Sequence, residues 1–205
     1  MPRQIRKGKR DIFKQIPKGG TLTCGYILFK CARNTGNRYP FDFIILSVHQ
    51  IEDREFWNQD FQRGRSRREC YERYCGEMLE LMSRYHNYSV LGHLDLISRY
   101  DQQGVYPFEK VKLMVQEILR RVIDDGKGIE VNTSNRRYRL KDLPPAREIL
   151  KLYREMGGRI LTIGSDSHKR EHLGACIEEN RRELRQMGFE TFCTYRGMVS
   201  QFHEL

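Results

Sequence analysis

Residues 160–168 read Ile-Leu-Thr-Ile-Gly-Ser-Asp-Ser-His, a short apolar run that ends in small residues and then in reactive ones. The run is too short for a typical helix and is bounded by Gly and Ser, so it predicts a strand over residues 159–163. The carboxylate of Asp166 and the imidazole of His168 follow at once. The stretch therefore predicts a strand whose carboxyl end carries chemically useful side chains.

The same arrangement recurs along the chain, where other short apolar runs end in polar or ligand-type residues. A further candidate strand near the carboxyl terminus lacks such residues. These predicted strands are 43–48 followed by His49, 89–92 followed by His93 and Asp95, 129–131 followed by Asn132-Thr133-Ser134, and 191–194.

Four segments of helical apolar period lie between these strands, at 71–85, 111–122, 149–156 and 173–187. The last is followed by Gly188, a favoured residue just past a helix end. Alternation of strands and helices predicts parallel strands joined by right-handed crossovers. The fold class is therefore α/β, either an open doubly wound sheet or part of a barrel.

In a parallel barrel the carboxyl ends of the strands converge on one face, which holds the active site. His49, His93, Asp166 and His168 would meet there, and imidazole and carboxylate groups suit Zn, Mn or Fe. Each residue alone has a structural alternative, such as Asp166 capping a helix. Their repetition at equivalent strand ends favours the metal site. Glu130 lies inside a strand, and we expect it to face the helical layer.

Charge is distributed unevenly along this chain of 205 residues with a net charge of +10. Residues 1–40 hold ten Lys or Arg and one acid, Asp11, a balance of +9, which leaves +1 for the rest. A basic arm can bind phosphate backbones, but no recognised nucleic-acid module accompanies it, so a nucleic-acid partner is not expected. The arginine-rich stretch 63–68 is interpreted as an exposed loop and helix start.

The six cysteines form no C-x-x-C pair, and the basic amino terminus lacks the apolar core of a signal peptide. These features predict a cytoplasmic protein. No apolar run is long enough to predict a membrane span, so no membrane partner is expected. The sequence does not predict an oligomeric state.

The strand-end motifs resemble those of a known family. Ser47-Val48-His49, 92–97 (Gly-His-Leu-Asp-Leu-Ile), 130–134 (Glu-Val-Asn-Thr-Ser) and 163–168 (Ile-Gly-Ser-Asp-Ser-His) resemble the later motifs of the polymerase and histidinol phosphatase (PHP) superfamily. The monofunctional histidinol-phosphatases match best, and the resemblance covers residues 41–205.

The resemblance implies a distorted (β/α)7 barrel with up to three divalent metal ions. It also implies a hydrolase of histidine biosynthesis, a phosphatase that converts the phosphomonoester L-histidinol phosphate to L-histidinol and phosphate. His49 and His93 would then bind one metal, Asp166 a second and His168 a third. Asp166 or a nearby His, such as His168, would protonate the leaving alkoxide. Arg99 and Arg137 are candidate phosphate contacts, with a surface ion pair as the alternative for each.

Residues 1–40 depart from the family pattern, because they contain neither His nor Glu. In the family, the first strand carries a His-x-His pair, and a metal-bridging Glu precedes the Ser-Val-His strand. We therefore expect 1–40 to be an atypical basic segment, from a frame or start error or in a degenerate homologue, and 41–205 to be the carboxyl-terminal portion of the PHP domain. An incomplete barrel and impaired activity are expected. The alternatives are another PHP phosphoesterase or an inactive homologue or fragment.

Overall fold

The computed structural model describes the backbone of residues 21–24 and all of residues 41–205. The strands are β1 (Thr21–Cys24), β2 (Phe43–Leu46), β3 (Gln50–Ile51), β4 (Arg54–Glu55), β5 (Val90–Leu91), β6 (Gly128–Asn132), β7 (Leu161–Gly164), β8 (Thr191–Arg196) and β9 (Val199–Glu204). The α-helices are α1 (Arg67–Arg84), α2 (Leu96–Arg99), α3 (Lys112–Asp124), α4 (Arg147–Glu155) and α5 (Ile177–Gln186). Short 3-10 helices span Phe108–Lys110, Thr133–Asn135 and Arg170–His172.

Five strands form a parallel sheet in the order β1-β2-β5-β6-β7. Neighbouring strands of this sheet therefore follow one another in chain order. A doubly wound sheet would instead reverse its strand order at a switch point. The sequence left open two architectures, a doubly wound sheet and part of a barrel. The observed strand order is that of a barrel wall, and the predicted α/β class is confirmed.

The first strand of the sheet lies within the basic segment. Thr21–Cys24 pairs with Phe43–Leu46 in parallel, with Thr21 opposite Phe43 and Cys24 opposite Leu46. The sequence analysis did not predict this strand.

Residues 191–194 are in a strand, but not in the parallel sheet. They belong to β8, which pairs antiparallel with β9. Gly197 and Met198 join the two strands and both have positive φ, 56° and 65°. Two such residues form the turn that matches the twist of a two-residue hairpin. The chain therefore turns back on itself here instead of extending the parallel series.

The hairpin packs at the amino-terminal edge of the sheet, opposite the strand ends that carry the polar residues. The Gly197 N–H donates to Asp42 Oδ1 (2.7 Å) and the Met198 N–H to the Asp42 carbonyl (2.9 Å). The Tyr195 ring stacks on Phe43 with centroids 5.0 Å apart, and its hydroxyl donates to the Ser89 carbonyl. The carboxyl ends of the strands therefore stay open to ligands.

The helix predicted from residue 173 begins later, at Ile177. Gly174 and Cys176 have φ of 71° and 60°, which interrupts the helical backbone, and Leu173 is exposed. The other three predicted helices are observed as α1, α3 and α4.

The core lies between the sheet and the helices. Alternate residues of each strand point to the two faces of the sheet, and the helix-facing set is apolar and almost fully buried. It includes Ile44, Leu46, Leu91, Ile129, Val131 and Leu161 from the strands, and Tyr74, Met78, Met82, Ile118, Leu119, Leu150 and Tyr153 from the helices. No helix in the described part of the chain has both the length and the apolar composition to cross a membrane.

Helix α1 begins with a capping box. The Glu69 N–H donates to Ser66 Oγ, and the Ser66 N–H donates to Glu69 Oε2 at 2.7 Å. Replacing Ser66 by Ala should lower the free energy of unfolding by about 1 kcal/mol, measured by urea denaturation. Ser83→Ala is the control, because Ser83 is exposed near the end of the same helix. An equal loss in both variants would contradict a role for the cap.

Candidate metal centre and substrate cleft

A cleft of about 570 Å³ opens at the carboxyl ends of β2, β5, β6 and β7. The cleft is lined by Arg99 and by all four predicted metal ligands, His49, His93, Asp166 and His168. Three segments that are far apart in sequence, after β2, β5 and β7, therefore bring these residues together. This is the convergence expected for a barrel wall.

The histidines that follow β2 and β5 are neighbours. The rings of His49 and His93 meet edge to face, with centroids 4.9 Å apart. The His93 side chain is 9% exposed, and burial lowers its pKa to about 3, with smaller contributions from the nearby His49 and Arg99. His93 is therefore a neutral imidazole at neutral pH, the form that binds metal ions.

Two of the strand-end residues have strained backbones. His93 and Asp166 lie in the left-handed region, with φ of 52° and 49°. Such residues cost of order 1–3 kcal/mol each and cluster at functional sites. The buried Tyr74 hydroxyl of α1 donates to the His93 carbonyl, and Arg137 donates to the Asp166 carbonyl at 2.8 Å. Neighbouring groups thus hold both strained residues in place.

Glu130 lines the cleft, so the expectation that it faces the helical layer is wrong. Ile129 and Val131 occupy the helical face of β6, and strand alternation places Glu130 and Asn132 on the other. The sequence contained a signal for this placement, because Glu130 lies two residues before Asn132 and so shares its face of the strand. Which of the two faces lines the cleft depends on which face of the sheet packs against the helices.

One oxygen of the buried Glu130 carboxylate has no hydrogen-bond partner among the described residues. This oxygen, Oε2, lies 3.5 Å from His93 Nδ1, beyond usual hydrogen-bond length, and no described residue donates to it. Burial raises the pKa of Glu130 to about 7, the nearby Asp166 adds to this effect, and contacts with Asn132 and the His93 backbone oppose it. A cation would stabilise a buried carboxylate oxygen that lacks a donor.

Two glycines make room for this carboxylate. A Cβ at Gly164 of β7 would lie 2.8 Å from Glu130 Oε1, and one at Gly92, after β5, would lie 3.1 Å from Oε2 and 2.4 Å from Ile45 Cγ2. The glycines of the Gly-His and Gly-Ser-Asp motifs therefore flank Glu130 from the two neighbouring strands.

Replacing Gly164 by Ala should displace the Glu130 carboxylate, because the flexible end of that side chain is what the new methyl group meets. We expect divalent metal affinity to fall about tenfold, measured by competition with a chromophoric chelator, while the fold is retained. Gly76→Ala is the matched control, since nothing lies within 4 Å of a Cβ there. Unchanged affinity in Gly164→Ala would contradict a ligand role for Glu130.

The other side of the cleft combines one acid with two arginines. Asp166 Oδ2 lies 3.6 Å from Arg137 NH2 and 3.9 Å from Arg99 NH1, and Oδ1 lies 3.7 Å from His168 Nδ1. These distances are longer than hydrogen bonds, so the side chains border an open space and do not fill it. His168 stands at the mouth with its side chain 73% exposed.

Tyr138 holds the two arginines close together. The guanidinium carbons of Arg99 and Arg137 lie 4.2 Å and 5.1 Å from the centroid of its ring, within cation–π range. Arg99 also donates to Ser134 Oγ at 3.2 Å, and its side chain is 8% exposed. Arg99 is therefore not a surface residue, which removes the surface ion pair as its explanation.

The family model for the PHP domain matches residues 28–134. This chain belongs to the PHP domain family. The match begins at residue 28, inside the basic segment, so the proposed boundary near residue 40 stays a prediction.

Curated relatives carry the name of one PHP activity. The chain is 31% identical to the histidinol-phosphatase of Lactococcus lactis over 78% of this chain and 60% of that protein. It is 30% identical to a probable histidinol-phosphatase of Thermotoga maritima over 73% of this chain and 58% of that protein. The chain thus spans about three fifths of the length of these relatives.

Solved PHP structures share the fold. Histidinol phosphate phosphatase from Lactococcus lactis, complexed with zinc, L-histidinol and phosphate, superposes with a TM-score of 0.72 at 26% identity, covering 97% of this chain and 77% of that one. A putative histidinol phosphatase from Listeria monocytogenes gives a TM-score of 0.55 at 18% identity over 75% and 62% of the two chains, which shows the fold alone.

The donors of this PHP cleft suit a divalent metal in chemical type. Imidazole and carboxylate groups are present, and the buried Glu130 oxygen lacks a counter-charge. Within the part of the chain that the structure describes, no three His, Cys, Asp or Glu side chains stand close enough to hold an ion on their own. Instead, His93 lies near Glu130 and Asp166 near His168, so water or further residues would complete each coordination shell.

Proposed function

We propose that this chain is a histidinol-phosphatase, hydrolysing L-histidinol phosphate to L-histidinol and inorganic phosphate, with reduced activity. The observation that carries the proposal is the cleft, where histidines, carboxylates and Arg99 meet at the strand ends, with Arg137 beside Asp166. The names of the curated relatives and the ligands of the Lactococcus lactis structure support it. Its setting would be cytoplasmic histidine biosynthesis, with a small-molecule substrate and no nucleic-acid or membrane partner.

Arg99 and Arg137 would bind the substrate phosphate. A guanidinium group offers parallel N–H donors that match two phosphoryl oxygens. The Tyr138 ring keeps both groups near Asp166, so a phosphate placed between them would lie next to the metal-type ligands. The buried Arg99 Nε–H donates to no partner among the described residues and is available as a further donor.

His49 and His93, beside Glu130, would contribute ligands to one ion, and Asp166 and His168 would contribute to others, with water or further residues completing each coordination shell. Zn, Mn or Fe would suit these groups, with fewer than the three ions of the family, because residues 1–40 contain no His or Glu. When bound, divalent ions acidify water and neutralise negative charge on phosphoryl oxygens. The reduced activity follows from the incomplete set of ligands.

The leaving alkoxide of the substrate needs a proton. His168 stands exposed at the mouth of the cleft, and its Nδ1 lies 2.9 Å from the Asp166 carbonyl. We assign the proton to His168 or to the Asp166 carboxyl, the two groups on that side of the cleft. Either would act after the phosphate is held by the arginines.

Metal content measured together with phosphate release from L-histidinol phosphate tests this function. We expect one or two divalent ions per chain and a measurable rate that is lost with a chelator and restored by Zn, Mn or Fe. Faster hydrolysis of a nucleotide than of histidinol phosphate would indicate another PHP phosphoesterase. Absence of both metal and turnover would refute the proposed function. Three bound ions with full activity would refute the proposed loss of activity.

A further inference from the structure

A second cavity, of about 300 Å³, lies beside the start of α1. We call it the arginine cavity, because Arg63, Arg65 and Arg67 line it together with Gln62, Tyr71 and Asp101. From the sequence, the arginine-rich stretch 63–68 is interpreted as an exposed loop and helix start. A helix does begin at Arg67. The stretch is only partly exposed, however, since the side chains of Arg65 and Arg67 are 19% and 25% exposed.

Positive charge exceeds negative charge in this cavity. Among the described residues that line it, Asp101 is the one acid. It accepts hydrogen bonds from Arg67 Nε and NH2 at 3.0 and 2.8 Å and from the Tyr71 hydroxyl at 3.1 Å. Asp101 therefore neutralises Arg67 and leaves Arg63 and Arg65.

Those two arginines have weak or shared partners. Arg65 donates to the Phe61 carbonyl and to Glu52, which uses two of the five N–H donors of a guanidinium group. Glu52 also pairs with Arg73, so one carboxylate serves two guanidinium groups. The Arg63 pair with Asp60, at 3.2 Å, lies in solvent, where an ion pair contributes little.

An unpaired acceptor lies in the same wall. Gln62 donates through Nε2 to the Phe56 carbonyl at 3.1 Å, while its Oε1 is buried and accepts no hydrogen bond from the described residues. Buried amide oxygens normally have a donor. A ligand with an oxyanion for the arginines and a hydroxyl or amine for Gln62 would satisfy both features.

The arginine cavity adjoins the catalytic cleft without sharing its metal-type residues. Tyr100 lines both spaces, and its carbonyl accepts a hydrogen bond from Gln59 Nε2 at 2.9 Å. The short helix α2 and Tyr100 therefore form the wall between the two. Neither Arg63 nor Arg65 lines the catalytic cleft.

We propose that the arginine cavity binds a small oxyanion, a phosphate or carboxylate group of a small molecule, at a site separate from the catalytic cleft. Its volume suits a small metabolite, and paired guanidinium groups recognise both kinds of oxyanion. The proposal does not depend on the reaction assigned to the catalytic cleft.

The test is calorimetric titration of the full chain at low ionic strength, with inorganic phosphate in one series and succinate in another. Arg63→Gln/Arg65→Gln should weaken binding at this site about tenfold or more, since each variant removes charge-assisted hydrogen bonds. Phosphate that binds in the catalytic cleft contributes equally to the wild-type and variant isotherms. Binding of phosphate, of succinate or of both that weakens in the double variant supports the site and identifies the oxyanion, and the absence of any such binding overturns it.

Arg68→Gln is the control, because it removes a positive charge from the same stretch as Arg63→Gln does, and its side chain is 78% exposed and outside the cavity. It should change affinity less than about twofold. If the double variant unfolds, Arg63→Gln alone is measured, since that side chain is 77% exposed. Wild-type affinity in the folded Arg63→Gln/Arg65→Gln or Arg63→Gln protein, or an equal loss in Arg68→Gln, would overturn the proposal.

Discussion

Replacing His93 by Asn should remove bound metal and lower kcat/KM for L-histidinol phosphate by about 100-fold or more. The loss of a ligand should exceed the 10- to 100-fold cost of losing a group that only orients one. Asn is the substitution of choice, because it tolerates the left-handed backbone that His93 adopts. The measurements are metal content after dialysis and initial rates of phosphate release.

His86→Asn is the control for this prediction, because His86 is exposed and outside the cleft. It should match the wild type in metal content and rate. Thermal unfolding of the metal-free proteins separates lost binding from lost folding. Retention of wild-type metal content and rate by a folded His93→Asn protein would exclude His93 as a ligand.

Replacing Glu130 by Gln should raise the stability of the metal-free protein at pH 8 and flatten its dependence on pH. The folded-state pKa of Glu130 is about 7, above its ordinary value of 4.5. Between these values the folded protein holds a proton that the unfolded chain has released, so stability falls as pH rises. The contribution of Glu130 to this loss is at most about 3 kcal/mol.

Urea unfolding of the wild type and Glu130→Gln at pH 5, 6, 7 and 8 measures this effect. Glu155→Gln, at an exposed position of α4, should keep the wild-type slope. Metal affinity of the wild type should rise through the same interval, because the ion competes with the proton on Glu130. Parallel pH profiles for the wild type and Glu130→Gln would show that the carboxylate is not perturbed by burial.

Local patterns in the sequence predicted the parts of the site that depend only on chain direction. Apolar runs followed by His49, His93 or Asp166 predict strands with polar carboxyl ends, and parallel pairing brings those ends to one face. The structure places these residues in one cleft for that reason. Arg99, predicted as a phosphate contact that follows such a strand, lines the same cleft.

Hairpins were missed because their turns lack a strong signal. β3 and β4 are joined by Glu52 and Asp53, and β8 and β9 by Gly197 and Met198, all with positive φ. Gly197 favours this region and Asp53 tolerates it, but Glu52 and Met198 do not. Contacts elsewhere help to hold the β8–β9 turn, because the N–H groups of Gly197 and Met198 donate to Asp42.

The sequence by itself determined the α/β class, the strand-end residues and the family pattern, because each depends on short-range periodicity and on motifs a few residues long. Only the tertiary structure decided that Glu130 enters the cleft between Gly92 and Gly164, and that Arg65 and Arg67 fold into a cavity beside Asp101. Those features depend on which face of a strand meets the helices and on partners 30 or more residues away. Burial and long-range pairing are properties of the packed molecule, and no local pattern encodes them.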